Sequence, residues 1–341
     1  MFFRSILLAF SVIVLGIPAA PTNVYGQDLS FDAYLQLLSA RARAEGVSEP
    51  TIRRMTAGLT PNMRVIELDR AQPGTPGVSG FPPVAPYLAR HVDRARINGG
   101  REAFGNSRSI TRAIEQQYGV PGEIVIAIWG HETNYGSYMG DFDLSRSLAT
   151  LAWEGRRRDL FATEWVDLLK IADRGFPRST MVGSWAGAFG NPQFLPSVYL
   201  RLAVDGDGDG NANIWNSRAD TLHSIANYFR DAGWRRGQPW GVRASVPANL
   251  DRGAIQSKLT APVCPRVHER HSQWKTIAEW RKLGVQPQKY LADDVMASFF
   301  QPDGPGNPAW LLTANYRVIL EYNCSNYYAL SVGLLADEIN P

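Results

Sequence analysis

The sequence predicts a mainly α-helical protein carrying a smaller insertion of mixed α/β character. Apolar residues recur at helical spacing through most of the chain, as in SFDAYLQLLSARARAEGV near the start and TANYRVILEYNCSNYYALSVGLLADEI near the end. Between about Pro239 and Gly284 the pattern changes to short alternating runs such as VRASV, with many prolines and few helical repeats. At 341 residues, with 45% hydrophobic and 20% charged residues, the chain can bury a substantial core divided among two or three subdomains.

The first twenty residues, MFFRSILLAFSVIVLGIPAA, place one basic residue before an apolar run from Ile6 to Ile17 and then small residues. The run is too short to span a bilayer comfortably, so a secretory signal peptide is expected, cut after Gly26 or Ala20. No cysteine follows it, and no lipid anchor is expected. From Asp28 a helix opens on a Ser30 or Asp32 cap and ends at Gly46, and a second runs from after Ser48 to Thr56. Asn62–Leu68 reads as a strand or turn, and the Pro/Gly-rich segment 72–86 as a loop. Tyr87–Asn98 is predicted as a helix stopped by Gly99-Gly100, and Ser109–Tyr118 as one stopped by Gly119. Further helices are expected around Ser147–Glu154, Asp159–Asp173, from Pro196, over Asp220–Ala232, and again from Pro308 to Ile339.

The stretch PGEIVIAIWGHETNYG, Pro121 to Gly136, carries the clearest chemistry. Pro121 suits a first helical turn, and an unbroken apolar run from Ile124 to Trp129 follows. Ile124, Ile128 and Glu132 fall on one helical face, so the acid shares the surroundings of two isoleucines. Desolvation and the carbonyl end of the helix both disfavour its charge, which makes Glu132 a candidate general acid. The alternative is a surface residue on an ordinary core helix. A zinc site of the HExxH kind is excluded, because Tyr135 occupies the position of the second histidine.

A second constellation lies at DGDGDGNANIWN, Asp205 to Asn216. Asp205, Asp207 and Asp209 occupy positions 1, 3 and 5 of an EF-hand-like loop, Gly210 permits the turn, and Asn211 offers its backbone carbonyl to Ca²⁺. Asn216 stands where a bidentate glutamate belongs, and Asp220 is the candidate to supply the missing carboxylate. The ion would be structural; the rival reading is a solvated turn. No organic cofactor is expected. The formal charge of +3 is too mild for a dedicated nucleic-acid binder. The two cysteines, Cys264 and Cys324, are expected to pair in an exported protein.

The Glu132 turn, GSWAGAFGNPQFLPSVY at Gly183–Tyr199, the acidic loop, IANYFRDAGW at Ile225–Trp234 and EYNCSNYYA at Glu321–Ala329 occur in that order. Together they closely resemble the lytic murein transglycosylase B family of bacterial peptidoglycan-cleaving enzymes, over about residues 85–341. The resemblance implies a lysozyme-like helical core with a helical N-terminal lobe and a small inserted lobe. It divides the chain into signal peptide 1–26, N-terminal lobe 27–110, catalytic core 111–238, inserted lobe 239–305 and a C-terminal segment 306–341 that completes the core. It also implies peptidoglycan glycan strands as partner, and the expected signal peptide implies a periplasmic location.

Carried over residue by residue, the family's catalytic glutamate falls on Glu132 and its active-site serine on Ser184, with Trp185 in place of the more usual tyrosine. Its cleft residues fall on Gln193, Tyr228, Tyr322, Asn323 and Tyr328, and a further cleft tyrosine on Tyr87. Cys324 after the Tyr-Asn pair and His131 before the glutamate depart from the pattern, and His131 is placed to alter the acid's pKa. The resemblance implies cleavage of the MurNAc-β-1,4-GlcNAc bond without water, giving 1,6-anhydroMurNAc ends, with one carboxyl serving as acid and then base. The rivals are a hydrolytic muramidase using Glu132 with Asp141 or Asp143, and a non-catalytic glycan-binding protein. In the sequence, Asp141 reads as a turn residue and Asp143 as a cap for Leu144 onward.

Overall fold

Side-chain caps set where most of the helices begin. Ser30 accepts from the amide of Ala33 to open α1 (Phe31–Ala44), and Ser48 accepts from that of Thr51 to open α2 (Glu49–Thr56). Asn62 does the same for α3 (Met63–Arg70). The computed structural model describes residues 29–71, 82–261 and 265–340. The expected signal peptide, most of the expected loop at 72–86 and Cys264 lie outside these residues.

The segment expected as a strand or turn at Asn62–Leu68 is therefore helix α3. Its buried residues, Val65, Ile66 and Asp69, follow helical rather than alternating spacing. Asp69 is buried because Arg156 and Arg157 bind its two carboxylate oxygens. A second correction concerns Tyr87–Asn98, which forms two helices, α4 (Ala85–His91) and α5 (Arg94–Gly105). The break comes at Asp93, which accepts from the amides of Ala95 and Arg96 and starts a new helix. Gly99 and Gly100 lie inside α5 and end nothing. A Cβ on Gly100 would come within 2.7 Å of Ile339 and of the Tyr135 hydroxyl, so this pair admits a close neighbour.

The chain continues through α6 (Arg108–Tyr118), closed by left-handed Gly119, and α7 (Gly122–Thr133). A two-residue strand β1 (Phe142–Asp143) precedes α8 (Leu144–Glu154) and α9 (Arg158–Asp173). Strand β2 (Val182–Gly183) pairs antiparallel with β1, followed by α10 (Pro196–Leu202) and α11 (Arg218–Asp231). Glu164 on α9 receives both the amide and hydroxyl of Ser197, tying α10 to it.

The expected mixed insertion follows: β3 (Gly241–Ser245), α12 (Arg252–Ile255), α13 (Pro265–His268), β4 (Trp274–Thr276) and α14 (Ile277–Lys282). Then come β5 (Gln286–Pro287), β6 (Met296–Phe300) and β7 (Ala309–Leu312). Among the described residues these strands form one antiparallel sheet in the order β4-β6-β7-β3-β5. Pairing of β7 with both β3 and β6 carries the sheet past the expected boundary at 305. Helices α15 (Ala314–Tyr322) and α16 (Asn326–Ile339) end the chain. Cys324, between them, is disulfide-bonded. No helix of the described residues is long and apolar enough to cross a membrane.

Buried apolar side chains of these residues gather in three clusters. One surrounds α7 with α6, α11, α15 and α16, and Val125, Ile126, Ala127 and Ile128 are wholly buried in it. A second joins α1–α3 to α8–α10, so cluster packing does not divide at residue 110. The third fills the sheet lobe around Trp280, whose indole nitrogen donates to the Ala297 carbonyl at 2.9 Å. Tyr228 and Tyr322 pack against both of the first two clusters and mark the seam between them.

Candidate active site

The end of α7 is built to hold one carboxyl group at that seam. After Thr133 three consecutive residues take left-handed conformations, Asn134 (φ 48°), Tyr135 (φ 60°) and Gly136 (φ 85°). Such a run is costly for residues other than glycine and persists only where the surroundings enforce it. Here the amide of Tyr135 reaches back to the Trp129 carbonyl, and its hydroxyl donates to the Arg96 carbonyl at 2.8 Å. Arg96 in turn donates to the Gly130 carbonyl at 2.6 Å, satisfying one of the last carbonyls of the helix. Gly136 must be small, because a Cβ there would lie 2.7 Å from Asn191 Oδ1.

Asn191 is a site-building residue that the sequence reading missed. Its Oδ1 accepts from the Trp129 indole at 2.8 Å, its Nδ2 donates to the carbonyls of Ile214 and Trp215, and its own carbonyl accepts from Thr133. One buried amide thus joins the Glu132 helix, the 183–194 segment and the end of the acidic loop. Lying far from its partners in sequence, it gave no local signal beyond its place in the GNPQF run.

Glu132 sits on the last turn of α7, and Tyr328 of α16 donates its hydroxyl to Oε1 at 2.5 Å. Burial pushes the carboxyl up to about 7, against the smaller downward pull of the Tyr328 bond. The sequence expectation that burial raises this pKa rests on Ile124 and Ile128, and both are buried. His131 does not act as a charge on the acid. Burial drives its own pKa down to about 3, and its ring is held between the Ala127 carbonyl at 2.9 Å and the Ser331 hydroxyl at 2.8 Å. The neutral imidazole stands edge-on to Tyr328 with ring centres 5.4 Å apart, and so braces the residue that bonds Glu132.

The other candidates are distributed along the seam. Tyr322 donates to the Pro192 carbonyl at 2.6 Å and Tyr228 to that of Glu321 at 2.8 Å, with their rings 4.7 Å apart. Their hydroxyls are therefore engaged with backbone, and the rings form wall. Tyr87 stacks on His91 at 3.9 Å and lies within electrostatic reach of Glu132. Asn323 is exposed just past α15. Ser184 Oγ accepts from the Ala188 amide at 3.0 Å and makes no hydrogen bond to Glu132. Gln193, itself left-handed at φ 50°, donates to the Met139 and Gly190 carbonyls, which clips its hairpin to the loop that follows Glu132.

Neither downstream aspartate is poised as a second catalytic carboxyl. Asp143 caps α8 through the Arg146 amide and pairs with Arg178 at 2.7 Å. Asp141 is exposed in the turn, with Tyr138 as its neighbour. Both match the turn and cap readings of the sequence.

In the acidic loop, carboxylate oxygens of Asp205, Asp207 and Asp209 lie within 4.8 Å of one another, and all three residues are exposed. Asp205 accepts from the amides of Gly208, Asp209 and Gly210, which hold its carboxyl below the usual range, that of Gly210 foremost. Three hard oxygen donors on one tight turn fit Ca²⁺. Asp220 stands outside this trio. It is fully buried, and its two oxygens accept from the amides of Gly206 and Asn213, so it struts the loop from beneath. Asn211 places its amide on Asp209 and its carbonyl toward the Asn213 amide.

The family model described as the transglycosylase SLT domain matches residues 30–337. The membrane-bound lytic murein transglycosylase B of Escherichia coli (strain K12) is 31% identical over 273 residues, covering 77% of this chain and 71% of that protein. SltB3 from Pseudomonas aeruginosa, solved in complex with NAG-NAM-pentapeptide and with NAG-anhNAM-pentapeptide, is 39% identical, with a TM-score of 0.82 over 91% of this chain and 79% of that one. The Escherichia coli lytic transglycosylase Slt35 in complex with calcium is 27% identical, with a TM-score of 0.75 over 92% of this chain and 95% of that one.

Proposed function

The chain belongs to the transglycosylase SLT domain family, and on that premise we propose that Glu132 alone, as acid and then as base, carries its reaction. The protein is a lytic murein transglycosylase, an enzyme that cleaves peptidoglycan glycan strands. The observation that supports the single-residue reading is a half-buried carboxyl whose pKa is raised to about 7, with no second carboxylate poised beside it among the described residues. Two-carboxylate glycosidases place an acid and a nucleophile or base on either side of the bond, and Asp143 is committed to a cap and an ion pair.

In the first step the Glu132 proton passes to the oxygen linking MurNAc to GlcNAc. The C1–O bond breaks, GlcNAc leaves as an alcohol, and the muramic N-acetyl carbonyl oxygen stabilises the charge at C1. In the second step the Glu132 carboxylate takes the proton of the sugar's own C6 hydroxyl while that oxygen bonds to C1. The product is a 1,6-anhydro ring, Glu132 is protonated again, and no water is consumed. Tyr328 holds Oε1 so that the other oxygen serves the substrate. Ser184 and Asn323 supply polar contacts to the sugars; Tyr87, Tyr228 and Tyr322 supply ring surface, and Gln193 holds the loop beside them.

The acidic loop is assigned a structural Ca²⁺ held by Asp205, Asp207 and Asp209, with the Asn211 carbonyl adjacent, and Slt35 solved with calcium supports this. Residues 1–26 are assigned as a signal peptide that sends the protein to the periplasm, on the charge and apolar pattern of that stretch. Glu132→Gln tests the central role. The amide cannot transfer a proton, so the variant should fold and bind glycan while turnover falls by ~10²–10⁴-fold or more. Retention of a substantial fraction of wild-type turnover would remove Glu132 from the chemistry.

A further inference from the structure

The inserted lobe grips the start of α16, the helix that brings Tyr328 to Glu132. Asn326 on its first turn is buried, and its Nδ2 donates to the Val267 carbonyl of α13 at 2.9 Å, which turns Oδ1 toward His271. His271 lies between α13 and β4, and its Nε2 donates to that oxygen at 2.7 Å. The Tyr316 hydroxyl of α15 donates to the Asn326 carbonyl at 2.9 Å. The imidazole is buried against Phe300 and Tyr316, with ring centres 5.0 and 5.7 Å away. Burial drives its pKa down to about 3, so the link does not titrate where Glu132 does. Two residues before Asn326, the disulfide-bonded Cys324 adds a covalent tether, and the other cysteine of the sequence, Cys264, belongs to the inserted lobe by its number.

Buried polar groups paired in this way enforce one arrangement, because breaking the link leaves a buried amide unsatisfied. Asn326 and Tyr328 stand two residues apart, about 200° round the helix, so one faces the lobe while the other faces α7. The first turn of α16 is therefore held from both sides, and Ser325 caps it by accepting from the Tyr328 amide at 3.3 Å. We infer that the inserted lobe is a positioning device for the reaction: His271, through Asn326, sets this turn so that the Tyr328 hydroxyl meets Glu132. The inference rests on the reading of Glu132 as the catalytic acid. His271 and Asn326 are positioning residues that act through Tyr328.

The test compares His271→Leu, which removes the donor, with His271→Gln, which keeps one. In His271→Leu the Glu132 pKa should rise as in Tyr328→Phe, read without turnover by carbon NMR of the glutamate carboxyls, with Glu132→Gln assigning the signal. On sacculi, kcat should fall about tenfold at unchanged KM, the scale of one hydrogen bond to a charged group. His271→Gln should restore both. Added to Tyr328→Phe, His271→Leu should change neither, because its effect passes through the missing hydroxyl. Asn326→Ala cuts the same link from the α16 side and carries the same expectation where His271→Leu does not fold. A Glu132 signal that titrates as in wild type, or a shift of equal size with and without the Tyr328 hydroxyl, overturns the inference. A raised Glu132 pKa with kcat and its pH limb unmoved upholds the link to Tyr328 and overturns the Glu132 reading instead.

Discussion

At the scale of the residue, the proposed mechanism rests on a conflict between one carboxyl and its surroundings. Burial raises the Glu132 pKa from 4.5 to about 7, and the Tyr328 hydroxyl, by favouring the ionised form, opposes the rise. Tyr328→Phe removes the opposing bond, so the pKa moves further up. The limb of the kcat profile on which activity falls with rising pH should then shift to higher pH, measured by turnover of sacculi across pH 5–9; an unmoved limb would mean that Tyr328 does not tune the acid. The same shift predicts a stability effect. Between pH 4.5 and 7 the native protein binds more protons than the unfolded chain, so wild type loses stability as pH rises through that window, by up to about 3 kcal/mol. Glu132→Gln does not titrate there, and its advantage in thermal midpoint over wild type should grow from pH 4 to pH 8. Much of this was legible in the sequence, because Ile124, Ile128 and Glu132 share a face. The Tyr328 bond was not: α7 and α16 are brought together only by tertiary packing, and His131 next door invited an electrostatic role where the fold gives it a bracing one.

At the scale of the element, capping chemistry was the most readable layer. Ser30, Ser48 and Asp143 start helices as their side chains predict, and Gly119 ends one. The failures have physical causes. Gly99-Gly100 resembles a stop, but its lack of side chains serves contact with Tyr135 and Ile339, a reason invisible without the partners. Asn62–Leu68 mixes apolar and charged residues too briefly for its period to be decided, and burial of Asp69 by two arginines settles it as helix. In the acidic loop the trio Asp205, Asp207 and Asp209 converges as its spacing suggested, while Asp220 supports the backbone. Calcium should therefore raise the thermal midpoint, with stabilisation of roughly 2.7 kcal/mol at a hundred times the dissociation constant. Asp209→Ala should abolish that rise without stopping catalysis. An unchanged melting curve of wild type with calcium and with chelator would reduce the loop to a turn.

At the scale of the whole molecule, the proposed substrate site lies where two helical clusters meet, and Tyr228 and Tyr322 pack against both. The motif order from Glu132 to Tyr328 pointed to a helical core, and α1–α3, in the expected N-terminal lobe, share a buried cluster with α8–α10. Short helical segments carry no mark of which distant helix they will cover. The central claim, that one carboxyl closes the sugar on itself, is tested most directly by digesting purified sacculi in heavy-oxygen water and weighing the muramic acid ends. A tethered hydroxyl can reach effective molarities on the order of 10⁵ M or more, far above that of water, so intramolecular attack should win. The ends should be unlabelled and lighter by one water than hydrolytic products; a majority of labelled, reducing ends would contradict the account.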